Sequence, residues 1–263
     1  MTPSPPLLSM TSVTKRFGGL TAVADFSATI HQGELVGLIG PNGAGKTTVF
    51  NLVTGVYQPS EGAIAVLGAS TTGLTPDRIT ALGVARTFQN IRLFGEMTVL
   101  ENVKTAFNLK LRYGMASALL RTRAFKAEEA RVERESLDLL SLFNLADLAS
   151  ERSTSLPYGE QRRLEIARAL ATGPRLLILD EPAAGMNPNE TEALMAMLHD
   201  IKARFDLTLL LIEHDMKFVM QMCERIIVLD YGRVIARGTP EEVRSNPDVI
   251  TAYLGDSADG IEL

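Results

Sequence analysis

Residues 34–48 read ELVGLIGPNGAGKTT, and the organisation of the whole chain can be worked out from this stretch. ELVGLIG is a short apolar run of the kind that makes a central, doubly covered strand. It feeds GPNGAGKTT, which matches the phosphate-loop spacing G-x-x-x-x-G-K-[ST] with Gly40, Gly45, Lys46 and Thr47. The loop sits between a predicted strand and a predicted helix, the context the motif requires. Glycines allow the backbone N–H groups of Gly40, Pro41, Asn42, Gly43, Ala44 and Gly45, the proline excepted, to turn inward around an anion. The helix start adds about half a positive charge. Lys46 is placed to neutralise β- and γ-phosphates, Thr47 to ligate Mg²⁺ through its hydroxyl, and Thr48 to add a phosphate hydrogen bond. The motif alone says nucleoside triphosphate; kinases, GTPases and motors share it.

Outward from the loop, apolar residues fall on every second position at Ala22, Ala24, Phe26, Ala28 and Ile30, a half-buried strand pattern. Further strands are expected at AIAVLG from Ala63, RLLILD from Arg175, LTLLLIEH from Leu207 and RIIVLDYG from Arg225. Helices alternate with the later strands, which predicts a largely parallel sheet. Thr98 with Glu101 and Thr239 with Glu242 read as capping boxes, the second with Pro240 at the first helical position. Asn187 with Glu190 repeats that arrangement. Between about 90 and 155 the strand patterns vanish, and helical segments rich in Ala, Leu, Glu and Arg predict a helical subdomain inserted in the α/β core. Residues 7–255 are thus expected to form a single domain, with tails at 1–6 and 256–263.

Composition narrows the function classes. The 263 residues carry 26 basic and 31 acidic side chains, a net of −5, and no nucleic-acid partner is expected from that balance. The lone cysteine, Cys223, excludes an intramolecular disulfide and reads as a small buried hydrophobe. His31 and His199 read as structural. No apolar run approaches the roughly 20 residues that span a bilayer, and the start, MTPSPPLLSM, has neither a basic n-region nor a long apolar h-region. A cytosolic chain that docks at any membrane through a partner is expected.

Three other places carry candidate chemistry. RLLILDEP ends a strand in Asp180 and Glu181. Asp180 is placed to hold Mg²⁺, and Glu181 to polarise the attacking water as a general base, although two acids at a strand end also suit a solvated turn. His214 closes LTLLLIEH, where it would hold the γ-phosphate and water in line. Gln89, in RTFQN, sits where the core gives way to the helical insertion, able to reach Mg²⁺ or water. LPYGEQRRLEIARAL, from Leu156, places Gly159 at a second anion-binding helix start. With one phosphate loop already present, a second such start suits a nucleotide held by another subunit.

Together, GPNGAGKTT, Gln89, LPYGEQ, LILDEP, the AAGMN turn and His214 resemble the ABC ATPase family, in the right order and across nearly the whole chain from Phe17 to beyond His214. The resemblance implies an ABC ATPase core of the P-loop NTPase class: a mainly parallel sheet, an antiparallel β region and the helical insertion. It implies two ATPase domains, a paralogue or a second copy, meeting head to tail. Each ATP would lie between one subunit's phosphate loop and the other's Tyr158, Gly159 and Glu160. It makes Phe17, in KRFGG, the aromatic that stacks on adenine. One departure is clear: the family's Leu-Ser-Gly-Gly-Gln is here Leu156-Pro157-Tyr158-Gly159-Glu160, and Pro157 offers neither hydroxyl nor N–H to a γ-phosphate.

GVARTFQNIRLFGEMTVLENV, DEPAAGMNP, IEHDMKFVM and GTPEEVRSNPDVITAYLG look like the LivG-type ATPase subunits of bacterial branched-chain amino acid importers. Relatives serving urea, amides or other small solutes are similar. This likeness implies ATP and Mg²⁺ as ligands and membrane permease subunits as partners. It further implies a solute-binding protein acting indirectly, and a place at the cytoplasmic face of the inner membrane. A soluble relative working on ribosomes or DNA would show tandem ATPase domains, a long coiled coil or basic arms. A kinase or GTPase would explain Gly40–Thr48 but not LPYGEQ or His214.

Overall fold

Five apolar segments, each of five or six residues and each too short for a buried helix, must pair with one another to satisfy their backbone groups. The computed structural model describes residues 6–111 and 113–255. The tails expected at 1–6 and 256–263 thus lie outside the described residues except for Pro6. In chain order the strands are β1 (Leu8–Phe17), β2 (Leu20–Ile30), β3 (Leu35–Ile39), β4 (Glu61–Val66), β5 (Ala69–Ser70), β6 (Val84–Arg86), β7 (Leu176–Asp180), β8 (Thr208–Ile212), β9 (Arg225–Asp230) and β10 (Arg233–Gly238). They form a six-stranded sheet in the order β10-β9-β3-β8-β7-β6 and a four-stranded sheet in the order β2-β1-β4-β5. The larger sheet is parallel except for the β9–β10 hairpin, and the β1, β2, β4 and β5 pairings are antiparallel. The mainly parallel sheet with an antiparallel β region is as the sequence implied.

Among the described residues the α-helices are α1 (Lys46–Val53), α2 (Pro76–Ala81), α3 (Val99–Ala106), α4 (Met115–Leu119), α5 (Arg123–Leu142), α6 (Tyr158–Ala171), α7 (Pro188–Phe205), α8 (Met216–Met222), α9 (Pro240–Arg244) and α10 (Pro247–Gly255). All three expected capping boxes close, at Thr98, Asn187 and Thr239. Strands β3, β7 and β8 are buried at every position, so alternate residues must face two separate cores. Leu35, Leu177 and Leu209 face a core completed by helices α3 and α5 to α8. Val36, Ile178 and Leu210 face the other, completed by Val49 and Phe50 of α1 and by Val13 and Phe26 of the antiparallel sheet. Gly37 is in β3 because a Cβ there would stand 2.9 Å from Cys223 Sγ. Cys223 itself is buried, and burial raises its thiol to about 12.

The alternation expected along β2 holds only in part. Phe26, Ala28 and Ile30 are buried, but nearer the strand start Val23 is buried instead of Ala22 or Ala24. Between the pairs Val13–Phe26 and Lys15–Val23, β2 advances by one residue more than β1. Asp25 sits there at φ 50°, its N–H donating to Thr14 Oγ1 at 3.1 Å. A bulge of this kind moves the following side chains to the other face. Strands β1, β5, β6 and β10 were not anticipated.

Candidate functional site

The phosphate loop follows β3, the one strand of the larger sheet out of chain order, inserted between β9 and β8, and it lies at the carboxyl end of that strand, where ligands of open parallel sheets bind. Gly45 caps α1 at φ 103°, and a Cβ there would stand 2.5 Å from the carbonyl oxygen of Ala22. Only glycine combines that left-handed backbone with so close an approach. The loop is braced from outside by the antiparallel sheet and the β9–β10 hairpin. Gly232 N–H donates to Ala44 O at 2.9 Å, and Ala24 N–H donates to Gly232 O at 2.8 Å. Asn42, Gly43 and Thr47 are exposed, Gly45 and Thr48 are half-buried, and Pro41, Ala44 and Lys46 are buried. Lys46 Nζ donates to Gly40 O at 2.5 Å and Pro41 O at 2.8 Å, so the ammonium lies within its own loop. Burial pulls Lys46 below the usual lysine value, while Glu181 and Asp180 oppose the shift.

Strand β7 delivers Asp180 and the residue after it delivers Glu181. Asp180 is buried, and burial raises its carboxyl above the usual range against the pull of Arg86. Arg86 Nη2 reaches Asp180 Oδ2 at 3.3 Å, and its Nη1 donates to Asn51 Oδ1 at 2.6 Å. Glu181 has φ 46°, an uncommon conformation for a side chain with a Cβ, and its N–H donates to Ile212 O at 2.9 Å. That turn aims its carboxylate at two of the expected partners. Gln89 Nε2 donates to Glu181 Oε2 at 3.0 Å, and His214 Nδ1 lies 3.6 Å from Glu181 Oε1. Glu213, buried beside His214, accepts from the N–H groups of Ala183 at 3.0 Å and His214 at 3.2 Å, tying the ends of β7 and β8 together.

The fold therefore brings Gln89, Glu181 and His214 into one cluster, with Asp180 on the same strand end and Lys46 electrically coupled to both acids. The oxygen donors of Asp180, Thr47 and Gln89 suit a hard cation held jointly with phosphates, which needs only one or two carboxylates. Among the described residues there is no group of three or more His, Cys, Asp or Glu arranged for a metal. Phe17 is exposed, not part of a core. Its ring meets Tyr57 in a T-shaped contact at 5.0 Å, and Lys15 Nζ stands over it 5.1 Å from the centroid.

The pattern described as "ABC transporter" matches residues 23–184, and that described as "Branched-chain amino acid ATP-binding cassette transporter" matches residues 233–259. The chain belongs to the ABC transporter family. This ABC cassette is 48% identical to the high-affinity branched-chain amino acid transport ATP-binding protein LivG of Salmonella typhimurium, over 97% of the cassette and 100% of LivG. It is also similar to the crystal structure of an ATP-binding cassette of an ABC transporter in its ADP conformation, with a TM-score of 0.82 and 30% identity, covering 95% of this chain and 99% of the other. A dimeric ATP-binding cassette bound to ADP and phosphate matches with a TM-score of 0.75 and 26% identity, covering 89% and 98%.

In this cassette, Pro157 precedes α6, and Tyr158, Gly159 and Glu160 form its first turn. Tyr158 is exposed. A Cβ on Gly159 would stand 3.3 Å from Glu190 Oε1, and Glu160 lies 3.5 Å from Arg163. Four residues that the sequence did not mark lie against the site: Arg86 at Asp180, Asn51 bonded to Arg86, and Arg162 and Glu165 hydrogen-bonded to the backbone of the Gln89 segment. Arg86 ends a three-residue strand, too short to show a period. Arg162 and Glu165 are charged residues on a helix, which usually means a solvated face.

Proposed function

We propose that this chain is the ATP-hydrolysing subunit of an importer of branched-chain amino acids, leucine, isoleucine and valine. The observation that supports it most is the Gln89–Glu181–His214 cluster beside a phosphate loop, in a chain that aligns with LivG from end to end. Glycine-rich backbone from Gly40 to Gly45 and the start of α1 bind the phosphates. Lys46 turns from its own carbonyls to the β- and γ-oxygens, and Thr48 adds a hydrogen bond. Phe17 carries the adenine. Thr47, Asp180 and Gln89 would hold Mg²⁺, which would supply charge neutralisation to the phosphates. Glu181 orients and deprotonates the attacking water, and His214 holds water and γ-phosphate in line. Little covalent help is needed, so positioning and charge neutralisation carry the rate.

Tyr158, Gly159 and Glu160 complete the ATP site of a second ATPase subunit, a paralogue or a second copy, in a head-to-tail dimer. Residues 90–155 form a subdomain that carries closure of the dimer to membrane permease subunits. A groove of 490 Å³ lies where that subdomain meets the core, lined by Ile79, Phe88, Arg92, Phe94 and Ala169 among others. Phe94 is exposed in it and suits a permease helix, whereas Leu93 packs against the core. The subunit works at the cytoplasmic face of the inner membrane, with a solute-binding protein acting indirectly. Among the described residues no helix is long and apolar enough to cross a membrane. ATP-dependent leucine uptake in cells carrying Lys46→Ala tests the assignment. Uptake should be lost with unrelated amino acids unaffected; unchanged leucine uptake would point to another solute such as urea or an amide.

A further inference from the structure

Residues 87–94 carry neither helix nor strand, so the segment that presents Gln89 must find partners for its backbone elsewhere. Two side chains of α6 supply them. Arg162 Nη1 donates to Phe88 O at 2.6 Å and Nη2 to Gln89 O at 2.7 Å. Glu165 Oε1 accepts from Phe88 N–H at 3.4 Å and from Arg92 N–H at 3.2 Å. The two are paired with each other at 2.9 Å, with side chains 0% and 2% exposed. A buried ion pair is rarely a source of net stability, because desolvation offsets the attraction. Fully formed, it fixes one geometry, and this geometry is that of the Gln89 backbone. The same Nη2 also donates to Tyr158 Oη at 3.3 Å, in the first turn of the same helix.

We propose that Arg162 and Glu165 are positioning residues for ATP hydrolysis: they lock the Gln89 segment to α6, so that the seating of Gln89 on Glu181 follows the helix whose first turn faces the other subunit's ATP. The two nucleotide sites of a dimer are thereby joined by one side-chain clamp in each subunit. This rests on the roles proposed above for Gln89, Glu181 and Tyr158.

Truncating Arg162 alone strands a buried carboxylate and risks unfolding, so the informative variant replaces both, Arg162→Met with Glu165→Leu, an exchange that buried pairs tolerate. It is measured on the full chain purified with its transporter partners, beside Gln89→Ala and the combination of all three changes. The expected result is a cooperative unfolding transition at a lower melting temperature, since four backbone hydrogen bonds are lost, with a KM for ATP within about twofold and a kcat lower by about ten- to a hundredfold, the scale of a misplaced catalytic group. Adding Gln89→Ala should then lower kcat by less than about twofold more. Unchanged kcat, a loss that multiplies with that of Gln89→Ala, or a loss where Gln89→Ala alone has none would overturn the clamp. Should the double variant not fold, Arg162→Lys keeps the charge but cannot fork to both carbonyls, and the same readouts apply. Failure of the site reading shows separately, as wild-type turnover in Glu181→Gln.

Discussion

Gln89 and Glu181, 92 residues apart, meet through a 3.0 Å hydrogen bond from the amide Nε2 to the carboxylate Oε2. The bond joins the edge of the helical insertion to the strand end beside the phosphate loop. It leaves Oε1 of Glu181 facing His214. A carboxylate so held has one oxygen oriented by a neutral amide and one directed to the imidazole, an arrangement suited to gripping a water between carboxylate and γ-phosphate.

Glu181→Gln removes the proton acceptor and retains the shape. ATP binding should persist, since the loop, Lys46 and Phe17 are untouched, while phosphate release falls by about a hundredfold or more, the usual reach of general-base catalysis. With ATP present the variant should also accumulate as a dimer, measurable by mass, if the chain pairs with itself. Near wild-type release would remove Glu181 from the role of base.

Arg86 lies 3.3 Å from the carboxylate proposed to hold Mg²⁺, so a bound cation would compete with the guanidinium for Asp180. Arg86→Met leaves Asp180 buried without its partner, which should lower the unfolding free energy by about 3 kcal/mol. The deficit should shrink when MgATP is added, because the metal then supplies the missing charge. Thermal unfolding with and without MgATP gives the test: an equal ATP increment in variant and wild type would show that the two do not compete.

Much of this site was legible in the sequence because its parts sit at strand ends marked by short apolar runs: Gly40 after β3, Asp180 after LLIL, His214 after TLLLI. The capping boxes at Thr98, Asn187 and Thr239 were equally plain, since both halves lie within four residues. What escaped depends on contacts distant along the chain. Arg162 meets Phe88 and Gln89 from 74 and 73 residues away, and nothing local to either distinguishes it from a solvated arginine. The β2 bulge escaped because Asp25, polar among alternating apolar residues, fits an unbroken strand as well as a bulged one. Strand β1 also escaped; its irregular pairing with β2 erases the alternation by which strands are read.

Acid should act on this fold through Glu213. Burial raises its carboxyl above the ordinary value, with the N–H of Ala183 opposing. The folded state therefore holds the proton to higher pH than the unfolded chain, whose glutamate titrates near about 4.3. Between those two values the native state binds more protons, so this group's contribution to stability falls as pH rises and is restored as pH falls. Glu213→Gln should flatten that part of the stability–pH curve, read as the urea midpoint from pH 4 to 7. An unaltered slope would mean that Glu213 titrates alike in both states.

Gly37 and Cys223 offer a test of the core that needs no nucleotide. A methyl group on Gly37 would stand 2.9 Å from Cys223 Sγ and 3.3 Å from Val219 Cγ1, closer than either can accept without moving. Gly37→Ala should therefore destabilise by about 1–3 kcal/mol, the range for overpacked cores. Cys223→Ala alone removes a buried sulfur and leaves a small cavity, costing about 1 kcal/mol. In the double variant the new methyl moves into the space the sulfur vacated, so the combined loss should be smaller than the sum by about 1 kcal/mol or more. Chemical denaturation of the four proteins measures the coupling directly. Strict additivity would mean that β3 shifts away from α8 to admit the methyl, and that the pairing of β3 with β8 and β9, on which the phosphate loop rests, has room to give.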